Sequence, residues 1–443
     1  MAHISASMNS SAPPLDLGVR LRLSVMMFLQ FAVWGAWFVV LGRYLEVGLK
    51  FDGAQIGQIY GTMALGAIIS MMIAGQLADR VLASEYLMAI FHLVGAGLLF
   101  CLAQVQDYWL FWLVAFIYAL VYNPTLAISN SLAFANIPDA VRDFPTLRVL
   151  GTIGWIAAGL SVDFLLPKGA AETNQPLLLA AGLSAALGLF SLVLPHTPPS
   201  GKGGDVLPFL RAFALLTNPS FAIFFGLSFA ITIALAFYYG FTGVFLGDIK
   251  VENIASTMSY GQMSEIFFML VLPLALMRFG MKWVLAIGMA AWAVRYALFS
   301  VAASGEPFVL ILIGVILHGI CFDFFLAAGF IHTENKAPAD IRGSAQALFS
   351  FLTYGVGMWI GNIVSGYVVN AYTTVNPETQ VPVKDWSSIW FVPAVGATVC
   401  LVLFVLLWRD TQGKLAEAGS PTSLPAGEPQ SEPANREAIK VGR

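Results

Sequence analysis

The sequence predicts an all-α integral membrane protein with twelve transmembrane helices in two six-helix repeats. Of its 443 residues, 58% are hydrophobic and only 11% are charged, and the mean hydropathy is +0.79. A soluble domain carries roughly 25% charged residues, so water does not surround most of this chain. Apolar segments long enough to cross a hydrocarbon core of about 30 Å recur along nearly its whole length. No segment alternates with the period of two expected of a membrane β-strand, which leaves helices as the spanning structure.

Twelve apolar segments are predicted to cross the membrane. The first contains Arg20 and Arg22 at its start, and its apolar part is too long for a cleaved signal peptide, so we expect a retained first helix. The segments cover residues 20–44, 55–77, 84–105, 108–134, 145–166, 177–195, 218–246, 256–277, 281–303, 307–334, 341–371 and 388–408.

Lysine and arginine residues near the segment ends predict the orientation. Cytoplasmic ends carry an excess of both residue types, and here one side has twelve and the other five. The bias therefore places both termini in the cytoplasm. The cytoplasmic set is Arg20, Arg22, Arg80, Arg142, Lys202, Arg211, Arg278, Lys282, Lys336, Arg342, Arg409 and Lys414, and the outer set is Arg43, Lys50, Lys168, Lys250 and Lys384.

The polar stretch TPPSGKGGD, around 197–205, separates the sixth and seventh segments. It predicts an N-terminal six-helix bundle (1–195), a cytoplasmic linker (196–217) and a C-terminal six-helix bundle (218–410). The remainder, 411–443, is rich in Pro, Ser, Gly and Glu, a composition typical of disorder. We expect a disordered cytoplasmic tail there.

The two halves repeat each other at an offset of about 200 residues. YGTMAL (60–65) aligns with YGQMSE (260–265), YNPTLA (122–127) aligns with FDFFLA (322–327), and Arg142 falls on Arg342. Several ordered matches at nearly one offset indicate a duplication. Duplicated halves are typical of transporters, whose substrate site lies between the repeats near the middle of the bilayer.

The repeats differ most where the C-terminal half gains polar side chains. Gln262 and Glu265 replace a threonine and a leucine of the first half, and they share one helix face because they are three residues apart. Such a face has to avoid lipid. Both residues are therefore predicted to face a central cavity.

The fifth segment carries a second polar stripe. Arg148, Thr152 and Trp155 follow i, i+4, i+7 spacing, which places a cation, a hydroxyl group and an aromatic ring in line. Such a stripe can hold a polar solute that contains a ring. The alternative is that Arg148 neutralises a buried carboxylate while Trp155 only packs.

Four further candidates lie on the seventh and tenth segments. Tyr238 and Tyr239 are adjacent in LAFYYGF, so their side chains point about 100° apart and at most one is expected to face the site. His318 and Phe322 are four residues apart and share a face. For His318, a packing role and a functional role both remain open.

Asp323 is the single carboxylate in the apolar run CFDFFLAAGF, and its repeat-related residue is Asn123. Burial disfavours the charged form of a carboxyl group, so Asp323 is a candidate to gain a proton on one side of the membrane and lose it on the other. Glu265 is the competing candidate for proton coupling. The alternative is that Asp323 only supports a close helix contact.

Several motifs resemble known transporters. GQLADR (75–80) is similar to the G-x-L-x-D-R loop of the major facilitator superfamily, which makes Gly75, Asp79 and Arg80 structural loop residues. Five further stretches together resemble the nucleoside:proton symporter family of that superfamily. They are RLSVMMFLQFAVWGAWFVVLGRYL (22–45), FPTLRVLGTIGW (144–155), SYGQMSEIFF (259–268), FDFF (322–325) and RGSAQALF (342–349).

The resemblance implies proton-driven import of nucleosides across a bacterial inner membrane by a protein that is not an enzyme. It implies no cofactor beyond the proton gradient, no nucleic-acid partner and a monomer. It makes Arg148, Thr152, Trp155, Gln262, Glu265 and Phe322 substrate contacts and Asp323 the coupling acid. This chain departs from the family pattern in three places. The family has Phe at Trp155, Tyr at His318, and amide side chains on the seventh helix where this chain has AFYYG.

The sequence alone leaves other functions open. A symporter of the same fold for another polar solute, such as a sugar, would use similar aromatic and amide contacts. A membrane enzyme would require a nucleophile–base pair or a metal cluster, whereas the five histidines, His3, His92, His196, His318 and His332, are scattered. A membrane sensor would require a soluble output domain, and the tail is too short to form one.

Overall fold

The computed structural model describes residues 13–80, 82–199, 207–305 and 307–409, without the side chains of 73–80, 141 and 208. Helices dominate these residues. The first half contains α1 (Leu17–Gly35), α2 (Gly53–Arg80), α3 (Ser84–Leu102), α4 (Tyr108–Ala135), α5 (Ala140–Phe164) and α6 (Gln175–Ser191). The second half contains α7 (Pro219–Asp248), α8 (254–279), α9 (281–302), α10 (Phe308–Lys336), α11 (Arg342–Ala371) and α12 (Trp386–Leu407).

The helices α8 and α9 are two arms of one continuous element, Ile254–Ala302, which breaks at Gly280 (φ 74°). This positive φ favours glycine. Ser256 N donates to Asp163 at the end of α5, and Ser300 lies against Ser387 at the start of α12, whereas Lys282 donates to Trp408 O at the other end of α12. The chain therefore reverses direction at Gly280.

Nine helices among the described residues are long and apolar enough to cross a membrane. One of the nine is the element Ile254–Ala302, which holds both α8 and α9. The helix α6 is apolar but has only 17 residues. These lengths are consistent with the predicted twelve crossings.

Side-chain caps determine where four of the helices begin. Asp16, Asp107, Asn218 and Asp385 precede α1, α4, α7 and α12, and each accepts a hydrogen bond from a backbone N–H in the first turn. Such caps satisfy donors that have no partner within the helix. Hydrogen bonds from Ser388 also lower the pKa of the Asp385 carboxyl.

Helix pairs pack within each half and between the halves. In the first half α1 packs on α5, α2 on α4 and α3 on α6. Between the halves, α2 packs on α11, and α5 packs on the element that contains α8. The surfaces between α1, α2, α4 and α5 and their counterparts therefore meet at the centre of the molecule.

The structure differs most clearly from the predicted segments at four places. The first predicted segment, 20–44, is interrupted after Gly35 and resumes as a short helix, Leu41–Arg43, and a π-helical turn, Tyr44–Gly48. Three other regions predicted as loop or linker contain regular structure. They are the end of α2, which extends to Arg80, the 3-10 helix Pro208–Thr217, and an antiparallel hairpin of β1 (Thr373–Val375) and β2 (Pro382–Lys384).

Two of these differences have a local physical cause. The interruption of α1 leaves the carbonyl of Phe38 outside a regular helix, and the Tyr60 hydroxyl donates to it at 2.6 Å. The hairpin satisfies its own backbone by pairing Thr373 with Lys384 and Val375 with Pro382. Neither contact follows from hydrophobic periodicity.

The crossing of α1 and α5 depends on the absence of a side chain at Gly154. A Cβ atom there would lie 2.1 Å from the carbonyl oxygen of Phe28. Gly154→Ala should therefore force the two helices apart and lower the free energy of unfolding by about 1–3 kcal/mol, as for other overpacked sites. Thermal unfolding of the purified protein measures the loss.

Gly182→Ala is the matched control, because no atom lies within 4 Å of the Cβ position at Gly182 on α6. It should leave the stability unchanged or raise it slightly, since alanine favours a helix over glycine. Equal melting temperatures for the two variants would show that α1 and α5 can separate without cost.

Candidate functional site

A cavity of about 520 Å³ lies between the two halves. This volume is in the range of small-molecule sites. Among the described residues, its wall comes from α1, α2, α4 and α5 and from their repeat counterparts α7, α8, α10 and α11. The wall consists of Phe31, Trp34, Phe38, Tyr60, Met63, Ala64, Ala67, Ser70, Met71, Asn123, Leu126, Ala127, Arg148, Thr152, Trp155, Leu235, Tyr239, Gln262, Glu265, Phe322, Ser350, Tyr354, Gly355, Met358 and Asn362.

The predicted stripe on α5 faces this cavity along its whole length, because Arg148, Thr152 and Trp155 all line it. The Arg148 guanidinium lies over the Phe31 ring, with its Cζ 4.1 Å from the ring centroid. The Trp155 ring meets the Trp34 ring edge to face at 5.2 Å. The neighbouring helix α1 thus holds both ends of the stripe.

Aromatic rings form a continuous surface at one level of the cavity. The Phe38 ring lies 5.3 Å from Tyr60, 5.5 Å from Tyr239 and 6.2 Å from Trp155, measured between centroids. A planar ring can pack against such a surface. This aromatic surface, formed by Trp34, Phe38, Tyr60, Trp155 and Tyr239, is shared by both halves.

The second half contributes polar groups opposite the stripe. Gln262, Glu265 and Phe322 line the cavity, and the Glu265 side chain is 21% exposed. The Gln262 Oε1 has no hydrogen-bond partner among the described residues. Arg148 and Glu265 both line the cavity, so it presents a cation and a carboxylate to the same solute.

Two predicted contacts do not line the cavity. Tyr238 is fully buried, its ring is stacked on His318 at 5.0 Å, and the Arg295 Cζ lies over the Tyr238 ring, 4.2 Å from the ring centroid. His318 is 1% exposed, and its Nε2 lies 3.4 Å from the Tyr239 hydroxyl and 3.9 Å from Glu265. Both residues therefore lie behind the wall, and of the two tyrosines only Tyr239 reaches the cavity.

Asp323 is fully buried next to the cavity rather than in its wall. Both carboxyl oxygens lack a hydrogen-bond partner among the described residues. The residue lies in a π-helical turn, Phe322–Ala327, of α10, and such turns occur frequently at functional sites. Its carboxyl is close enough to interact with that of Glu265. Close packing accompanies this position, since a Cβ at Gly319 would lie 2.6 Å from the Ser264 backbone of α8.

The cavity is closed at the end of the molecule that carries Arg43, Asp248 and Lys384, here called the Arg43 end. Arg43 donates to Asp248 at 2.7 Å, Lys384 pairs with Glu46, and Trp386 Nε1 donates to Asp248 at 3.0 Å. The first two contacts join the N-terminal half to the C-terminal half. Charged groups thus hold the halves together at this end.

Close backbone packing reinforces the closure. A Cβ at Gly42 would lie 2.5 Å from the carbonyl oxygen of Gly240 in α7. The Tyr60 hydroxyl accepts a hydrogen bond from Gly42 N and donates to Phe38 O. The short helix after α1 therefore contacts α7 next to Tyr60 and Phe38 of the aromatic surface.

Sequence reasoning missed several cavity residues. Trp34 and Phe38 are four residues apart on the first segment, so their spacing was a detectable signal. Asn362, in MWIGNIV, is a single amide in an apolar run and was detectable by the same argument that selected Asp323. Tyr60 and Tyr354 carry no comparable pattern.

The predicted loop motif lies at the end of α2. The helix continues through Gly75 and Asp79 to Arg80, which differs from the loop expected there. The side chains of this stretch, including those of Asp79 and Arg80, lie outside the described part of the chain.

The chain is similar in sequence to one protein family and to several bacterial transporters. The sequence model of the family described as nucleoside H⁺ symporter matches residues 17–413. The chain is 38% identical over 404 residues to the putative nucleoside transporter YegT of Escherichia coli K12. The aligned region covers 89% of this chain and 95% of YegT. It is 35% identical over 415 residues to the nucleoside permease NupG of that strain (89% and 96% covered), and 35% identical over 410 residues to its xanthosine permease (88% and 95% covered).

Solved structures agree with these relatives. A crystal structure of the nucleoside transporter NupG matches with a TM-score of 0.81 at 35% identity, covering 89% of this chain and all 100% of that chain. A crystal structure of a D-xylose-proton symporter matches with a TM-score of 0.67 at 13% identity, covering 89% and 99%. The second match concerns the fold alone.

Proposed function

The chain belongs to the nucleoside H⁺ symporter family, and we propose that it imports nucleosides together with protons across a bacterial inner membrane. YegT, NupG and the xanthosine permease are named as transporters or permeases, and this chain is a transporter rather than an enzyme. Import proceeds by alternating access, in which the two halves rock about the central cavity.

The observation that carries this proposal is the composition of the cavity. An aromatic surface lies beside a guanidinium, a carboxylate and two amides, Gln262 and Asn362, whose side-chain oxygens have no hydrogen-bond partner in the described part of the chain. A nucleoside has a planar base and hydroxyl groups that match these features. A site built to hydrogen-bond a polar group rejects analogues that lack the group.

The predicted contacts take the following roles in this proposal. The base stacks on Trp155 and its aromatic neighbours. Arg148 and Thr152 from one half, and Gln262 and Glu265 from the other, hydrogen-bond the ribose hydroxyls or the base edge. Phe322 supports the substrate from α10, next to the coupling residue.

Proton coupling is assigned to Asp323, with Glu265 as the competing group. A buried carboxyl without a hydrogen-bond partner strongly favours its neutral form, so access to water from one side or the other controls its protonation. We also propose that the two carboxyls titrate as a coupled pair. Protonation and substrate binding are then linked through Glu265, which touches the cavity.

The Arg43 end is assigned to the outer face, because lysines and arginines are more numerous at the other end. Because the cavity is closed at the Arg43 end, this conformation is then closed to the outside. Both termini lie in the cytoplasm. We also propose that the carrier works as a monomer and requires no cofactor other than the proton gradient.

Uptake by membrane vesicles tests the proposed function. With an imposed gradient, acidic outside, vesicles that contain the protein should accumulate labelled uridine, adenosine or xanthosine above the external concentration. Without the gradient, entry should stop at equal concentrations. Empty vesicles and a protonophore are the controls.

Competition by unlabelled solutes distinguishes a nucleoside symporter from a sugar symporter of the same fold. Excess unlabelled nucleoside should block uptake, whereas maltose and xylose should not. Gradient-driven accumulation of a sugar, with no effect of any nucleoside, would contradict the proposal and favour a sugar symporter of the same fold.

A further inference from the structure

Asn362 lies on α11 at the cavity wall and has no assigned role. Its side chain is buried, with 2% of the residue exposed, and it lines the cavity. Its Oδ1 has no hydrogen-bond partner among the described residues. A buried amide oxygen without a partner costs about 1–3 kcal/mol, so this atom calls for a donor that the described chain does not supply.

The backbone around Asn362 is held by tight helix packing. A Cβ at Gly57 in α2 would lie 2.2 Å from the carbonyl oxygen of Asn362, and a Cβ at Gly366 would lie 2.4 Å from Gly53 O. The Ser365 hydroxyl donates to the same Asn362 carbonyl at 3.0 Å. The side chain is therefore presented from a rigid crossing of α2 and α11.

The amide lies at the level of the aromatic surface. The Cβ position of Gly240, the residue after Tyr239, is 3.9 Å from Asn362 Oδ1 and 4.0 Å from the Tyr60 ring. The missing side chain at Gly240 leaves space next to the amide, between α7 and the ring of Tyr60, while Oδ1 itself is buried in this conformation. A base stacked on the aromatic surface would bring its edge to this place.

The other asparagine in the wall differs in one respect. Asn123 Nδ2 donates to Met63 O at 3.2 Å and to Ala119 O at 2.9 Å, so its amide is held by the protein itself. The Asn362 amide makes no side-chain hydrogen bond with any other described residue. It is available to a ligand without first breaking a contact within the chain.

An amide offers one donor and one acceptor side by side. A nucleobase edge that carries a donor next to an acceptor is the complementary group, and asparagine forms two hydrogen bonds to adenine in this way in protein–DNA complexes. We propose that Asn362 hydrogen-bonds the edge of the nucleobase and so contributes to base specificity. This inference rests on the proposed function, nucleoside transport.

Equilibrium binding to the purified full-length protein tests the inference with two ligand pairs. Uridine is compared with 3-methyluridine, and adenosine with N6,N6-dimethyladenosine, because methylation removes the donors from the base edge. The parent protein should bind the unmethylated member of at least one pair on the order of tenfold more tightly, the effect of leaving one buried polar group unpaired. In Asn362→Ala and Asn362→Leu this preference should disappear, through a loss of affinity for the unmethylated nucleoside.

Asn370→Ala is the matched control on the same helix. Asn370 Oδ1 accepts a hydrogen bond from Ala54 N at 3.3 Å, and the residue does not line the cavity. This variant should keep the parent's preference even if its melting temperature falls. Two replacements of Asn362 are used because leucine preserves the volume, whereas alanine introduces no new atoms that need space.

Three results would overturn the inference. The first is a parent that binds nucleosides but does not distinguish the methylated members. The second is an Asn362 variant that keeps the parent's preference, which would assign the base edge to another residue. In both of these cases the parent binds nucleosides, so the proposed function stays intact. The third result is a parent that binds no nucleoside, which contradicts the proposed function and the inference together.

Discussion

Asp323→Asn should abolish the accumulation of nucleoside driven by a proton gradient while it preserves exchange of nucleoside across the membrane. The asparagine mimics the protonated carboxyl in size and charge and copies Asn123 at the repeat-related position. Because the Asp323 oxygens have no hydrogen-bond partner among the described residues, the amide breaks no contact that the structure shows. The carrier should still alternate, but without binding and releasing a proton at this position.

Two measurements on the same vesicles check this result. Counterflow of labelled against unlabelled nucleoside, without a gradient, reports whether the variant is inserted and alternates. Accumulation under an imposed gradient reports coupling. We expect counterflow close to that of the parent, and an internal concentration that only reaches the external one.

Asp163→Asn is the matched control for this change. Asp163 Oδ2 accepts a hydrogen bond from Ser256 N at 2.6 Å, and an amide oxygen can accept the same bond. This variant should accumulate nucleoside as the parent does. If Asp323→Asn also concentrates nucleoside against its gradient, Asp323 is not the coupling group, and Glu265→Gln becomes the variant to measure.

Trp155→Ala should weaken nucleoside binding by about 1–3 kcal/mol, the range found for aromatic side chains on which bases stack. This corresponds to a loss of affinity of roughly fivefold to 150-fold. The physical reason is the position of the Trp155 ring, which lines the cavity and contacts Trp34 and Phe38 in the aromatic surface. Equilibrium binding of uridine and adenosine to the purified protein gives the measurement.

Two further variants separate stacking from packing. Trp155→Phe keeps a ring at this position and should retain most of the affinity. Trp109→Ala removes a tryptophan that is 69% exposed and lies away from the cavity, so binding should not change. Unchanged affinity in a folded Trp155→Ala protein would mean that the ring only packs against its neighbours.

The predicted fold class, family and transport function are confirmed by the family match and by the match to the NupG structure. The division into bundles at 1–195 and 218–410, the disordered tail at 411–443 and the roles of the site residues stay predictions. The cavity residues on α5 were found because i, i+4, i+7 spacing places side chains on one face of any regular helix. Gln262 and Glu265 were found because polar side chains in a membrane helix have to avoid lipid.

The sequence by itself determined which segments leave water, because apolar composition over a bilayer's thickness is sufficient for that. It also determined the repeat and the polar faces that a membrane helix cannot expose. Only the tertiary structure decided which of two adjacent residues reaches the cavity, as for Tyr239 and the buried Tyr238. That choice depends on how each helix is rotated against its neighbours, and local periodicity does not contain this information. The same holds for Asn362, which faces the cavity because α11 crosses α2 at Gly57, and for Asp323, whose π-helical turn departs from the regular spacing that sequence arguments assume.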